Sequence, residues 1–308
     1  MDVERLALLF TVGLFVGCSA LTDFSPEKDD GAILPADDGG PPDDEGGEAG
    51  LYCYPGDDPC PAGSVFIQCG PALMGSDLGE GDGDEEPEHV VNVSAFCMDE
   101  TEVTNRDYFA CVTDGGCSMP HGSGSRTRPG AYYGNATYNG FPVLNVDWDQ
   151  AAAYCAHRGK RLPTEAEWEK AARGGCEIVA PAGCGAEDER VYPWGDAEPT
   201  CSQANFVACV GDTEAVGAHA AGESPYGVQD LAGNVQEWVA DWYAGAYYDT
   251  CRTGECIDPA GPPTGSDRTF RGGAWDSIAF YVRVANRFRQ VGGYSSDNLG
   301  FRCVADAR

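Results

Sequence analysis

The sequence is poor in positive charge, in histidine and in closely paired cysteines. Only 19 Lys and Arg stand against 50 Asp and Glu in 308 residues, a formal net charge of -31. Phosphate backbones repel so acidic a chain, which argues against nucleic acid as a partner. The absence of any C-x-x-C pair argues against zinc knuckles and thioredoxin-like chemistry. The four histidines are widely scattered, with no helical metal-binding pair: His89, His121, His157 and His219.

The N-terminus has no apolar run long enough for a membrane-spanning helix. Residues 6–16 are apolar, the length of a signal-peptide core, and they lead into Phe15-Val16-Gly17-Cys18. This tetrapeptide resembles the lipobox of bacterial lipoproteins, in which the cysteine becomes lipidated. We therefore interpret residues 1–18 as a signal peptide and Cys18 as the lipidation site. The expected location is the bacterial cell envelope (outer membrane or periplasm), held only through the lipid; secretion is the alternative.

Residues 19–50 contain little that could drive folding. Residues 35–50 read PADDGGPPDDEGGEAG, rich in Asp, Glu, Gly and Pro. Such a segment buries too little apolar surface to offset the entropy of ordering it, so we predict an acidic disordered tether. A second acidic stretch, residues 77–88, lies between strand-like runs and is predicted to be a surface loop. The globular part is expected to occupy residues 51–308.

Fifteen cysteines indicate an oxidising compartment. If Cys18 is lipidated, the other fourteen can form seven disulfides. A bridge between Cys155 and Cys303 would close most of the domain, with Cys53–Cys60 and Cys69–Cys97 as the choice for the last two, although spacing leaves the connectivity open. The remaining cysteines flank short loops as natural local pairs: Cys111–Cys117, Cys176–Cys184, Cys201–Cys209 and Cys251–Cys256.

Local patterns predict an α+β domain with much irregular structure. Residues 65–68 and 90–97 have the composition of strands. Three short helices are predicted, with caps at Thr104, at Asp147 or Asp149, and at Thr164. The third is the clearest, since Thr164 and Glu167 form a capping box and Gly174 ends the helix.

Seven segments, in order over about residues 61–306, carry a family resemblance. Among them are GKRLPTEAEWEKAARGG (159–175), SPYGVQDLAGNVQEWVADWY (224–243), RTFRGGAWDS (268–277) and NLGFRC (298–303). They resemble the formylglycine-generating enzyme, or sulfatase-modifying factor, family. The resemblance implies a single, disulfide-rich, C-type-lectin-like α+β domain that binds calcium. It also supports the Cys155–Cys303 bridge, because the family's enzymes bridge the matching positions.

The resemblance implies two structural calcium sites. One would use the side chains of Asp230 and Glu237 with the carbonyls of Gly233 and Val235. The other would draw on Asn205 and the carbonyl of Phe206, with Asp212 and the carbonyl of Glu214 as further candidates. Calcium prefers six to eight oxygen ligands of this kind. The alternative for the first site is a turn whose carboxylates only cap a helix.

The same resemblance fails at the family's copper site. The oxidases hold Cu(I) with two cysteines five residues apart, and soft sulfur ligands suit that ion. Here the first position is Ser277, and the sequence has no cysteine between Cys256 and Cys303. Ala274 replaces the motif's serine, and Gln236 replaces a tryptophan beside the oxygen pocket. We therefore expect no copper and assign no catalytic residue. The scattered histidines likewise do not match the three-histidine iron site of another branch.

The C-terminal segment is basic and aromatic within an acidic protein. Residues 268–308 hold seven arginines and three acids. In the family this part forms a peptide-binding cleft, and the candidates here are Trp275, Asp276, Ser277 and Arg283; Arg287 and Arg302 are expected to be structural. The sequence thus favours an exported, monomeric, calcium-stabilised module that binds a peptide, protein or glycan. The alternative is an enzyme of the family that carries out another oxidative modification.

Overall fold

The computed structural model describes Cys53, residues 60–179, Cys184, and residues 190–252 and 255–307. The predicted signal peptide, Cys18 and the predicted tether lie outside these residues. Among the helices of the described part, none has the length and apolar character needed to cross a membrane.

Three small sheets contain the nine strands of the described residues. β1, β4 and β9 form one antiparallel sheet in the order β1-β4-β9, and β2 pairs with β3 in an antiparallel hairpin. The third sheet has the order β7-β6-β5-β8, with β8 parallel to β5. The bounds are β1 Ser64–Ile67, β2 Gly70–Met74, β3 His89–Val93, β4 Phe96–Asp99, β5 Gln236–Trp242, β6 Arg268–Arg271, β7 Phe288–Gln290, β8 Leu299–Gly300 and β9 Val304–Asp306.

The helices are short, and the first three begin at predicted caps. Thr104 caps α1, while Asp147 and Thr164 form complete capping boxes at α2 and α3. Gly174 ends α3 with a φ of 96°, a left-handed conformation that favours glycine. The bounds are α1 Asn105–Thr113, α2 Trp148–His157, α3 Glu165–Arg173 and α4 Cys176–Val179.

The structure confirms the fold class but divides one predicted strand. Residues 90–97 belong to β3 and β4, which pair with different neighbours. The break falls at Ser94, whose backbone N–H and hydroxyl both donate to the carboxylate of Asp258, at 2.6 and 2.7 Å. A distant side chain therefore ends a run that propensity alone would continue.

Seven disulfides link the fourteen cysteines of the described residues, and five of them are the predicted pairs. These five are Cys111–Cys117, Cys155–Cys303, Cys176–Cys184, Cys201–Cys209 and Cys251–Cys256. The predicted Cys53–Cys60 and Cys69–Cys97 pairs are wrong: Cys53 bonds to Cys69, and Cys60 to Cys97. Cys97 lies in β4 opposite Phe66 of β1, so strand pairing brings it to the segment that precedes β1. Spacing along the chain does not contain that information.

Helix α3 is locked to the C-terminal segment by buried ion pairs. Every residue of α3 is buried, including Glu165 and Glu169. On β6, Arg271 pairs with both carboxylates, and Arg287 forms two 2.8 Å hydrogen bonds with Glu165. Arg287 is thus structural, as predicted. These pairs fix both ends of the segment between β6 and β7 against α3.

Candidate functional site

The loop that enters β5 contains three of the residues predicted for the first calcium site, Asp230, Gly233 and Val235. Asp230, Gly233 and Asn234 have φ values of 58°, 88° and 56°, so the chain turns through the left-handed region three times. Only glycine fits at position 233, because a Cβ there would lie 2.3 Å from the carbonyl oxygen of Asn205. The loops of the two predicted sites are therefore in direct backbone contact.

Asn234 joins these loops to the cleft. Its backbone N–H donates to the Asn205 carbonyl at 2.7 Å, and its carbonyl accepts from the Trp275 N–H at 3.0 Å. Its side-chain amide donates to Glu102 at 2.9 Å and accepts from the Glu214 N–H at 3.0 Å. Asn234 is 3% exposed, and its backbone and side chain together connect four segments.

Glu237 is fully buried and already balanced by an arginine. Its Oε1 accepts from Arg302 Nη2 at 2.7 Å, and its Oε2 accepts from Arg302 Nε and Trp168 Nε1, both at 2.8 Å. A bidentate arginine neutralises this carboxylate, so Glu237 is a poor fit to a calcium ligand. The prediction that Arg302 is a buried structural residue is confirmed by its 0% exposure.

Asp212 is also occupied by protein donors. One oxygen accepts from the Ser125 hydroxyl and from the backbone and hydroxyl of Thr127, and the other accepts from the Thr213 N–H. Arg128 lies 3.1 Å from the same carboxylate. Burial opposes ionisation, but these hydrogen bonds hold the pKa of Asp212 below its ordinary value. Asp212 therefore fits a loop anchor better than a metal ligand.

Two nearby oxygens do lack partners. The side-chain Oδ1 of Asn205 and the Oε2 of Glu102 are buried without a hydrogen bond. Burial and then the charge of Asp230 raise the pKa of Glu102 well above its ordinary value. Within the described residues, the Asp230 carboxylate accepts a hydrogen bond only from the Gly217 N–H, so Asn205 and Asp230 fit a cation better than Glu237 and Asp212 do.

The carbonyl candidates give mixed support. The Phe206 carbonyl, one predicted ligand, already accepts a hydrogen bond from the Cys209 N–H at 3.1 Å. Val235, whose carbonyl is another predicted ligand, is completely buried in a small apolar cluster. Within the described residues, no group of three or more His, Cys, Asp or Glu is arranged to hold a metal. Any cation here would therefore need carbonyl, amide or water oxygens beside its carboxylates.

Three of the four predicted cleft residues lie together. The Ser277 hydroxyl accepts from the Ala274 N–H at 3.0 Å, and its carbonyl accepts from the Val207 N–H at 2.9 Å. Asp276 is exposed, and both of its carboxylate oxygens accept from Asn298 Nδ2 at 3.2 Å. Trp275 is 7% exposed, with its indole N–H 3.3 Å from the Asp297 carbonyl.

Arg283 does not join this group. It is 8% exposed and forms two 2.8 Å hydrogen bonds with Glu85, which is fully buried. The 3-10 helix Ala279–Val282 turns the chain so that the guanidinium faces the acidic loop 77–88 instead of the cleft. Although burial alone would raise it, the pKa of Glu85 is lowered by its hydrogen bonds and by the charge of Arg283. That loop is therefore anchored at Glu85, while Asp77, Glu80 and Asp82 lie at the surface.

The positions of the family's copper ligands hold no sulfur. Ser277 stands at the first, and the sequence has no cysteine between Ser277 and Cys303 that could stand at the second. All fourteen cysteines in the described part of the chain are paired in disulfides. These residues do not fit Cu(I), which requires free thiolates in this family.

A family model described as the Sulfatase-modifying factor enzyme 1-like domain matches residues 56–307. The chain belongs to the sulfatase-modifying factor family. A formylglycine-generating enzyme of Streptomyces coelicolor is 35% identical over 296 residues, covering 80% of this chain and 90% of that relative. The serine/threonine-protein kinase pkn1 of Chlamydia caviae is 36% identical over 249 residues, covering 78% of this chain. The match spans only 37% of that kinase.

Solved structures agree with the family fold. PvdO from Pseudomonas aeruginosa superposes with a TM-score of 0.62 at 24% sequence identity, covering 79% of this chain and 94% of that one. At that identity the likeness concerns the fold alone. The sulfatase-modifying factor fold is thus shared, while the site must be judged from its own residues.

Two residues that organise this sulfatase-modifying factor site, and a third that anchors the acidic loop 77–88, were not predicted from the sequence. Asn234 lies inside the segment 224–243 and Glu102 lies two residues before the predicted cap Thr104, but only the fold places them together. Glu85 lies in a run of acids that looked uniformly solvent-exposed. Nothing in the sequence indicates that Glu85 is buried, because a buried acid looks the same as its exposed neighbours in an acidic stretch.

Proposed function

We propose that this protein is an exported, non-catalytic member of the family that binds an extended peptide segment of another protein. The observation that carries the proposal is the loss of the copper-binding thiolates, because Ser277 stands at the first ligand position and no cysteine lies between Cys256 and Cys303. A domain that keeps the scaffold but lacks thiolate ligands retains a recognition surface without the oxidative chemistry. Glycan recognition is an outcome of the binding test.

The proposed recognition surface surrounds Asp276. Ile278 is 51% exposed and Val207 is 39% exposed, and the Val207–Ser277 backbone hydrogen bond holds the two segments side by side. Exposed apolar side chains beside a carboxylate suit a peptide that presents an apolar and a basic side chain. Buried backbone contacts fix the surface in advance, which lowers the entropic cost of binding.

We also propose that calcium stabilises the domain. When bound, calcium supplies positive charge to buried oxygens, and the side chains of Asp230 and Asn205 are those that fit this role. The anchoring of the module to a bacterial envelope through Cys18, and its action as a monomer, remain proposals that rest on the sequence.

The purified full chain is expected to leave a sulfatase-type cysteine peptide unchanged when supplied with Cu(I) under air. Mass spectrometry of the peptide measures the conversion, with the Streptomyces coelicolor enzyme as the positive control. Metal analysis of the same preparation is expected to show neither copper nor iron. Conversion of the peptide would overturn the proposal and favour the alternative, an oxidative enzyme of this family.

Ile278→Asp is expected to weaken peptide binding about tenfold or more, because it places a charge in an apolar contact. Peptides selected from a phage-displayed random library on the wild-type chain serve as the probe, and their affinities are measured by calorimetry. Ile178→Asp, at a 42% exposed position of α4, is the matched control and should leave affinity unchanged. Equal effects of both substitutions would contradict this surface, as would the selection of no peptide alongside binding on a glycan array.

A further inference from the structure

Lys170 of α3 is completely buried, and a carboxyl group lies beside its amine. Its Nζ donates to the Gly70 carbonyl at 2.9 Å and lies 3.3 Å from Glu177 Oε1 on α4. Only 16% of the Glu177 side chain is exposed, so little water reaches the pair. Other buried ion pairs, such as Arg271–Glu169, use a guanidinium that is always charged. A lysine amine differs, because it becomes a nucleophile once it loses its proton.

Two glycines leave the room in which the amine and the carboxyl group meet. A Cβ on Gly70, the first residue of β2, would lie 3.0 Å from Glu177 Oε2 and 3.8 Å from Lys170 Nζ. A Cβ on Gly175 would lie 2.3 Å from each oxygen of the same carboxyl group. A side chain at either position would therefore displace the carboxyl group from its place next to the amine.

Tyr226 makes the two oxygens of Glu177 unequal. Its hydroxyl donates to Oε1, and its own oxygen accepts from the Gly175 N–H at 3.1 Å, which orients the hydroxyl hydrogen towards the carboxyl group. Burial and the hydrogen bond to Glu177 hold the pKa of Tyr226 above its ordinary value, so the hydroxyl stays a donor. Oε2, in contrast, is buried without a hydrogen-bond partner.

The site also disfavours the charged form of the amine. Burial lowers the pKa of Lys170, because the ammonium group loses its hydration, and the charge of Glu177 only partly offsets this effect. Transfer of one proton from Nζ to Oε2 replaces two poorly hydrated charges with a neutral amine and a neutral acid. These are the two groups that amide formation requires, and here they are already in contact.

We propose that Lys170 and Glu177 condense within the folded domain to form an isopeptide bond. Nζ attacks the Cδ of Glu177, while the Tyr226 hydroxyl stabilises the negative charge that develops on Oε1. The Cδ–Oε2 bond then breaks, and Oε2 leaves as water with two of the three ammonium protons. The third proton stays on the amide nitrogen, so the step consumes no oxidant, reductant or cofactor. The bond would join α3 to α4 beside the Cys176–Cys184 disulfide, and reductants would not break it.

Peptide mapping of the reduced full chain detects this bond. Trypsin cleaves after Arg173, which lies between the two residues, and so separates Lys170 from Glu177 unless they are linked. We expect peptides 162–173 and 174–190 to stay joined, with a mass lower than their sum by about 18 Da, one water. Recovery of the two segments as separate peptides, with cleavage after Lys170, would overturn the proposal. Wild type alone decides this result, even if a variant fails to fold.

Three variants locate the chemistry. Lys170→Arg keeps a cation but removes the nucleophile, so the two peptides should separate. Lys160→Arg is the matched control at an ion-paired lysine that is only half-buried, and the peptides should stay joined. Peptides that remain joined in Lys170→Arg would show that the link lies elsewhere and would overturn the proposal.

Tyr226→Phe tests the role of the hydroxyl. The joined fraction, sampled at intervals after folding, should rise about tenfold more slowly or less, because Oε1 has lost its donor. An unchanged rate would overturn the part assigned to Tyr226 while leaving the bond itself in place. None of these outcomes bears on peptide binding or on calcium.

Discussion

Replacing both Cys155 and Cys303 with alanine is expected to lower the free energy of unfolding by about 5 kcal/mol. This disulfide joins residues 148 apart in the sequence, and loop-closure entropy grows with the length that a bridge constrains. The same replacement at Cys111 and Cys117, which are six residues apart, should cost only about 2 kcal/mol. Guanidinium denaturation of both variants without reductant measures the difference through their midpoints.

The comparison of these two bridges tests the origin of the stability. Cys155, Cys303 and Cys111 are completely buried and Cys117 is half-buried, so both variants lose packing around sulfur atoms. Equal destabilisation of the two variants would contradict the loop-length explanation. It would assign the effect to packing around the sulfur atoms instead.

Arg302→Met is expected to lower the free energy of unfolding by about 3–5 kcal/mol, because it leaves the buried Glu237 carboxylate without its counter-charge. Arg302→Lys should also be destabilising, since an ammonium group cannot reproduce the fork that reaches Glu237 and three carbonyls. Arg252→Met removes a solvent-exposed ion pair with Asp249 and should change stability by less than about 0.5 kcal/mol. Denaturant midpoints of the three variants supply the measurement.

A second substitution distinguishes the loss of the ion pair from the loss of packing around Arg302. In Glu237→Gln the shape of the side chain is kept while its charge is removed, so Arg302→Met should cost less in that background than in wild type. Additive losses would contradict a direct charge interaction between Glu237 and Arg302.

The parts of the fold that local chemistry decides were predictable. Thr164 and Glu167 specify the start of α3 by reciprocal hydrogen bonds within four residues, and Gly174 specifies its end. Cysteines that flank short loops pair locally for the same reason. The pairing of Cys60 with Cys97 depends on β1 lying beside β4, which no local pattern encodes.

The candidate site was predictable only in outline. The motif around Asp230 located the loop, and the motif around Ser277 located the cleft. The partners of Glu237 and Arg283 were hidden, because an ion pair such as Glu85–Arg283 spans 198 residues of sequence. Charge alone does not distinguish a surface acid from a buried one, so the balance of charges required the three-dimensional arrangement.

The four hydrogen bonds of Asn234 have a thermodynamic consequence. Its backbone N–H donates to the Asn205 carbonyl, and its carbonyl accepts from the Trp275 N–H. Its side-chain amide donates to Glu102. A displacement of the loop that enters β5, which contains Asp230 and Asn234, is therefore transmitted to the backbone of the cleft at Trp275. If an ion and a cleft ligand each bind more tightly to one position of that loop, each changes the affinity of the other by the same factor.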